Sequence, residues 1–233
     1  CSVCSLAEAH VKKVMKQNDN DLTYLELYSG IGGWGLALNE ASRQVSSKQT
    51  HNNLFTRLRL NRINALDRSE IAKEVFRFNF SSSSTRSKQI GLIENLTISQ
   101  LENSYCANIW VMSPPCQPFT RNNDVAGDET DERSASFLHL CRLLGNNEKY
   151  LKIPQLILME NVIGFEASNC CKIWRFTLHK RGYIILHFHL NPTQVGLPND
   201  RPRYYCAAVL TNIASCQKII DSTVSLDQPN TSF

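Results

Sequence analysis

An apolar run over residues 22–28 breaks at Ser29-Gly30-Ile31-Gly32-Gly33, and a helical pattern resumes from Trp34 to Ala41. A strand, a glycine turn and a helix follow one another in that order, which points to an α/β chain. The glycines let the backbone approach a nucleotide-type ligand closely, and the helix start offers it unpaired N–H groups. Glu26 and Tyr28 flank this turn. The spacing departs from Gly-x-Gly-x-x-Gly, so an adenosyl ligand suits it better than a dinucleotide; a plain tight turn is the alternative.

The pattern recurs downstream. Residues 1–21 read as a polar extension with a short amphipathic helix carrying Ala7, Val11 and Val14. Residues 42–62, rich in Ser, Asn, Gln and Arg, read mostly as an inserted loop, with a strand resuming near Arg59 and running to Leu66. Ser69 then caps a helix whose apolar positions are Ile71, Val75 and Phe78, and four serines at 81–84 end it. Further strands are expected at 109–112, 155–159, 183–190 and 204–210, and helices at 133–147 and 170–181. Strands alternating with helices imply a mostly parallel, Rossmann-like sheet covered on both faces, with ligands at the carboxyl ends of the strands.

With 233 residues, 42% of them hydrophobic, the chain can bury one sizeable core. Its net charge of +4 is compatible with a polyanionic partner but is explained as well by an ordinary solvated surface. Nine cysteines, an odd number at scattered spacings, favour reduced thiols in an intracellular compartment over a disulfide framework. No run approaches the ~18 apolar residues of a membrane span. Cys1 and Cys4 form a Cys-x-x-Cys without a second pair at ligand spacing, so no metal is expected.

The most informative stretch is Pro114-Pro115-Cys116-Gln117-Pro118-Phe119-Thr120. It fixes a thiol between prolines at a strand end, where core packing has no use for one. A nearby cation would lower the pKa of that thiol and make it a strong nucleophile, with Arg201 and Arg203 as candidates. A thiol redox protein would need a partner cysteine at Cys-x-x-Cys spacing, and Cys116 has none. Glu160 also sits at a strand end, either as an acid facing a ring nitrogen or as an ordinary surface carboxylate. Asp67 is placed to accept ribose hydroxyls or to cap a helix.

In chain order, residues 25–33, Pro114-Pro115-Cys116-Gln117, Glu160-Asn161-Val162, and Gln194 with Arg201-Pro202-Arg203 resemble the first, fourth, sixth and eighth motifs of the cytosine-5 methyltransferases. Residues 112–121, Asp128-Glu129-Thr130-Asp131, Ser136-Phe137-Leu138-His139 and residues 161–166 look most like the tRNA-aspartate branch of that family. The resemblance implies an S-adenosyl-L-methionine-dependent enzyme that methylates carbon 5 of cytosine in RNA, or else in DNA. Cys116 would add to carbon 6, Glu160 would engage the ring nitrogen and amine, and Arg203, with Arg201 beside it, would hold the base carbonyl. Cofactor contacts carry over to Tyr28, Ser29, Gly30, Ile31, Gly32, Gly33, Asp67, Ile93, Glu94, Ser113 and Pro114.

The same resemblance sets residues 22–212 as the catalytic core and 213–233 as a tail, with no counterpart of the family's target-recognition domain. It also implies a cytoplasmic or nuclear tRNA-modifying role, without a membrane or a metal. Asn108 stands where the family has an acidic residue. A catalytically silent chain that binds cofactor or RNA is the second reading.

Overall fold

A computed structural model describes residues 21–47, 59–80, 92–115 and 134–211. Six strands form one sheet: β1 (Asp21–Leu27), β2 (Arg59–Leu66), β3 (Ile109–Met112), β4 (Leu156–Val162), β5 (Tyr183–Leu190) and β6 (Arg203–Leu210), in the order β2-β1-β3-β4-β6-β5. The pairs β1–β2, β1–β3 and β3–β4 are parallel, while β6 runs antiparallel to both β4 and β5. The helices are α1 (Gly33–Ser47), α2 (Glu70–Phe80), α3 (Ile98–Asn103), α4 (Ala135–Gly145) and α5 (Asn169–Lys180).

Alternation along each strand divides the interior into two cores. Leu25, Leu27, Trp110, Met112, Ile157 and Met159 point to one face, where Phe137, Leu140 and Leu144 of α4 and Trp174 and Leu178 of α5 cover them. Leu22, Tyr24, Ile109 and Val111 point to the other, beneath Leu38 of α1. The central parallel strands β1, β3 and β4 are therefore nearly continuous apolar runs, while the edge strands β2 and β5 are partly exposed. At its buried start, β3 is tied to β1 by Asn108, whose Oδ1 accepts from the backbone N–H and the hydroxyl of Thr23 at 2.9 and 2.8 Å. An amide serves that junction without burying a charge.

Three expectations change. The first helix does not stop at Ala41 but continues to Ser47, into the stretch read as inserted loop, while β2 spans Arg59–Leu66 as expected. On α2, Ile71 and Phe78 are exposed at 78% and 84% and Val75 at 39%, and the buried ring is Phe76. The helical spacing was right, but it marked the outward face. The strand read as 155–159 extends to Val162, so that Glu160 and Asn161 lie within β4. The amphipathic helix expected before β1 falls outside the described residues.

Candidate active site

One row of backbone pairing runs across the sheet: Leu66 on β2 opposes Leu27 on β1, Leu27 opposes Met112 on β3, and Met112 opposes Met159 on β4. The next residue along the chain is in turn Asp67, Tyr28 and Ser113, each just past its strand, and Glu160, within β4. Four candidates far apart in sequence thus lie along a single edge of the sheet. The row continues into β6, where Glu160 opposes Tyr205 and Val162 opposes Arg203.

The glycine turn has the backbone its sequence demands. Tyr28, Gly30 and Gly32 have φ of 53°, 51° and 94°, a left-handed region costly for side chains other than glycine. Ser29 N–H donates to Leu66 O at 3.0 Å, and Gly32 N–H to Ser29 O at 2.9 Å. Asp67 spans the junction: Oδ2 accepts from Gly30 N–H at 2.7 Å and Oδ1 from Ser69 N–H at 2.8 Å. Asp67 therefore fastens the turn to the start of α2, and Ser69 caps that helix by accepting from Ala72 N–H at 3.2 Å. A Cβ at Gly30 or Gly33 would meet nothing within 4 Å, so the turn faces open space there. Ile31 projects outward, 56% exposed. The Tyr28 phenol does the opposite. It turns into the core, where burial chiefly, and the negative charge of Glu94 in addition, hold its pKa above the usual range.

Glu94 is thereby brought near the turn from the 3-10 segment Ile93–Asn95, while Ile93 itself is buried in the larger core. Pro114 is buried and Pro115 exposed just past β3, and Ser113 Oγ accepts from Trp34 Nε1 at 2.9 Å. Trp34 in turn meets the Tyr205 ring edge-on, with centroids 6.5 Å apart. Arg203 Nε donates to Glu160 Oε1 at 3.1 Å in a partly buried ion pair. One of its terminal nitrogens donates to Pro202 O at 2.9 Å. Glu160 Oε2 and the other terminal nitrogen of Arg203 have no partner among the described residues. Burial, and then the negative charge of Glu160, raises the Tyr205 phenol. Arg201 is exposed, its backbone N–H bonded to Asn191 Oδ1 at 3.1 Å, so it stands apart from the pair. Cys116 lies outside the described residues, one residue beyond Pro115.

The profile of the C-5 cytosine-specific DNA methylase family matches residues 22–232. The chain belongs to that family. It is 37% identical over 189 residues to the tRNA (cytosine(38)-C(5))-methyltransferase of Bos taurus, covering 81% of this chain and 42% of the relative. It is also 37% identical over 190 residues to a DNA (cytosine-5)-methyltransferase of Dictyostelium discoideum, covering 80% of this chain and 44% of the relative. Among solved structures, the Dnmt2 methyltransferase of S. pombe superposes with a TM-score of 0.62 at 32% identity, covering 82% of this chain and 50% of that one. The Entamoeba histolytica methyltransferase EhMeth gives 0.65 at 31%, covering 82% and 54%. The chain thus spans about half the length of the family members it matches.

For this member of the family, the sequence reading had missed two residues at the sheet edge. Trp34, read only as the start of a helix, joins the glycine turn to the Pro-Pro loop, and Tyr205, read only as a strand residue, packs between Trp34 and Glu160. The alternation of β6 was the available signal for Tyr205, since residues 203 and 205 of a strand share a face.

Proposed function

We propose that the protein transfers a methyl group from S-adenosyl-L-methionine to carbon 5 of a cytosine in RNA, with a tRNA anticodon loop as the preferred target. The observation that carries this reading is the Glu160–Arg203 pair, 3.1 Å apart on the same sheet edge as the Pro114-Pro115 loop that leads into Cys116. A carboxyl and a guanidinium side by side match the polar edge of cytosine. Glu160 faces ring nitrogen 3 and the exocyclic amine, and Arg203 donates a charge-assisted hydrogen bond to the carbonyl oxygen.

The Cys116 thiolate adds to carbon 6, forming a carbon–sulfur bond, while Glu160, having taken up a proton from solvent, delivers it to nitrogen 3. The electron pair of the 5,6 double bond is thereby released toward carbon 5, which becomes nucleophilic. Bound S-adenosyl-L-methionine supplies the electrophilic methyl group. The carbon 5 proton then passes to solvent, Cys116 leaves as thiolate, and nitrogen 3 returns its proton to Glu160, which restores the aromatic ring. The cofactor fits the residues present: an open glycine turn, the positive end of the 15-residue α1 behind it, and Asp67, whose carboxylate has lone pairs left for ribose hydroxyls. Ser29, Gly30, Ile31, Gly32, Gly33, Asp67, Glu94, Ser113 and Pro114 would hold it. Tyr28 and Ile93 contribute backbone only, because their side chains are committed to the core.

A stacked cytosine is out of reach of such a site. Extruding one from a duplex costs a few kcal/mol, roughly, and an unpaired loop avoids most of it. That favours RNA, as does the tRNA specificity in the name of the bovine relative. DNA remains the competing substrate, because the Dictyostelium relative is equally similar and is named for it. Incubation with methyl-labelled S-adenosyl-L-methionine decides between them. Label should pass to tRNA from the native protein and not from Cys116→Ala, with little passing to DNA. Cofactor binding by both proteins without transfer would mark a catalytically silent chain.

A further inference from the structure

The edge strand β2 carries a guanidinium into the interior. Arg62 has a side chain only 9% exposed, and it opposes Tyr24 immediately before a bulge that leaves Ile63 without a partner on β1. Bulges re-aim side chains, and this one sets Arg62 under the glycine turn. Its guanidinium carbon lies 4.5 and 4.3 Å from the ring centroids of Phe76 and Phe80, near the end of α2. Its terminal nitrogen is 3.6 Å from Glu26 Oε2, on a carboxylate fully shielded from solvent. The other oxygen of Glu26 accepts from Gly35 N–H at 3.3 Å, in the first turn of α1.

These groups converge on one point. A Cβ at Gly35 would come within 3.0 Å of Arg62, 3.2 Å of Glu26 Oε2 and 3.2 Å of the Tyr24 hydroxyl. A Cβ at Gly32 would run into the rings of Phe80 and Phe76. Arg62 is therefore in contact, directly or through one neighbour, with each element that shapes the turn: β1 through Glu26 and Tyr24, the start of α1 through Glu26 and Gly35, and α2 through the two phenylalanines.

Burying a carboxylate without a counter-charge costs several kcal/mol, about as much as a domain can lose and stay folded. Glu26 can keep its hydrogen bond to α1 because Arg62 faces it. Arg62 in turn tolerates burial because two aromatic faces cover it.

We infer that Arg62 is a positioning residue for the cofactor turn, acting through Glu26 to hold the first amides of α1 and through Phe76 and Phe80 to hold Gly32. The inference rests on the cofactor reading proposed above. No step proposed above uses Arg62, whose side chain lies on the interior side of the turn.

The test is isothermal titration of the full chain with S-adenosyl-L-homocysteine, comparing native protein, Arg62→Met, Glu26→Gln and the double variant. Arg62→Met should bind at least tenfold more weakly. The double variant should recover part of that loss, because it removes the stranded carboxylate along with its partner. If Arg62→Met fails to fold, Arg62→Lys replaces it. It keeps the charge but loses the flat face over the rings, and should weaken binding at least threefold. A variant that melts earlier yet binds as tightly as native protein would overturn the inference and leave Arg62 a packing residue. Strictly additive losses in the double variant would overturn the route through Glu26. Native protein that binds no S-adenosyl-L-homocysteine would instead sink the cofactor reading itself.

Discussion

Glu160 and Arg203 are held as a pair by antiparallel pairing of β4 with β6, which sets Val162 opposite Arg203 and Glu160 opposite Tyr205. Their roles in the proposed chemistry differ from that of the glycine turn, and substitution separates them. Glu160→Gln keeps shape and hydrogen-bonding capacity but cannot deliver a proton, so methyl transfer should fall at least a hundredfold, roughly, while S-adenosyl-L-homocysteine still binds. Steady-state transfer alongside titration reads both. Glu26 offers a pH test. Burial pushes it up to about 7, against the pull of Arg62 and the Gly35 N–H. Its folded pKa thus exceeds its unfolded one, so the folded state holds more protons between about 4.5 and 7. Stability contributed by this group is complete below that window and is lost as pH rises through it, by up to about 1.4 kcal/mol per pH unit. Denaturant midpoints followed across the window should fall in the native chain and stay flatter in Glu26→Gln.

At the scale of elements, the glycine turn is the part most sensitive to geometry. Gly32 has φ of 94° and the Phe80 ring against it. Gly32→Ala should destabilise the chain by about 1–3 kcal/mol and weaken cofactor binding, measured by chemical denaturation and titration. A control lies on the other face. Ser168 caps α5 by accepting from Cys171 N–H at 2.9 Å, so Ser168→Ala should cost about 1 kcal/mol and leave binding unchanged. All six strands were legible, the central ones because a strand buried on both faces writes itself as a short apolar run. The helices were less so. The exposed apolar residues of α2 have the same period as a buried face, and only packing tells the two apart. The segment from Ile93 to Asn103 was not read as structure at all, since it is too short to show a period. Its one sign was Thr97-x-x-Gln100, and both side chains do close a capping box there.

At the scale of the molecule, the fold explains how candidates far apart in sequence come to share one sheet edge: a single pairing row places Asp67, Tyr28, Ser113 and Glu160 side by side. The motifs themselves were visible in the sequence because each is a short departure from the apolar pattern at a strand tip. The cross-links between them were not, because Trp34 to Ser113 and Arg62 to Glu26 join residues whose neighbourhood is created only by the sheet.

The account depends on Cys116 attacking carbon 6 of a base held by Glu160 and Arg203. A tRNA carrying 5-fluorocytidine tests it most directly, because fluorine at carbon 5 cannot leave as a proton and the adduct persists. With S-adenosyl-L-methionine present, peptide mass spectrometry should find the modified nucleotide on Cys116 in native protein and nowhere in Cys116→Ala. An unmodified Cys116 in a protein that binds both the cofactor and the tRNA would contradict the account.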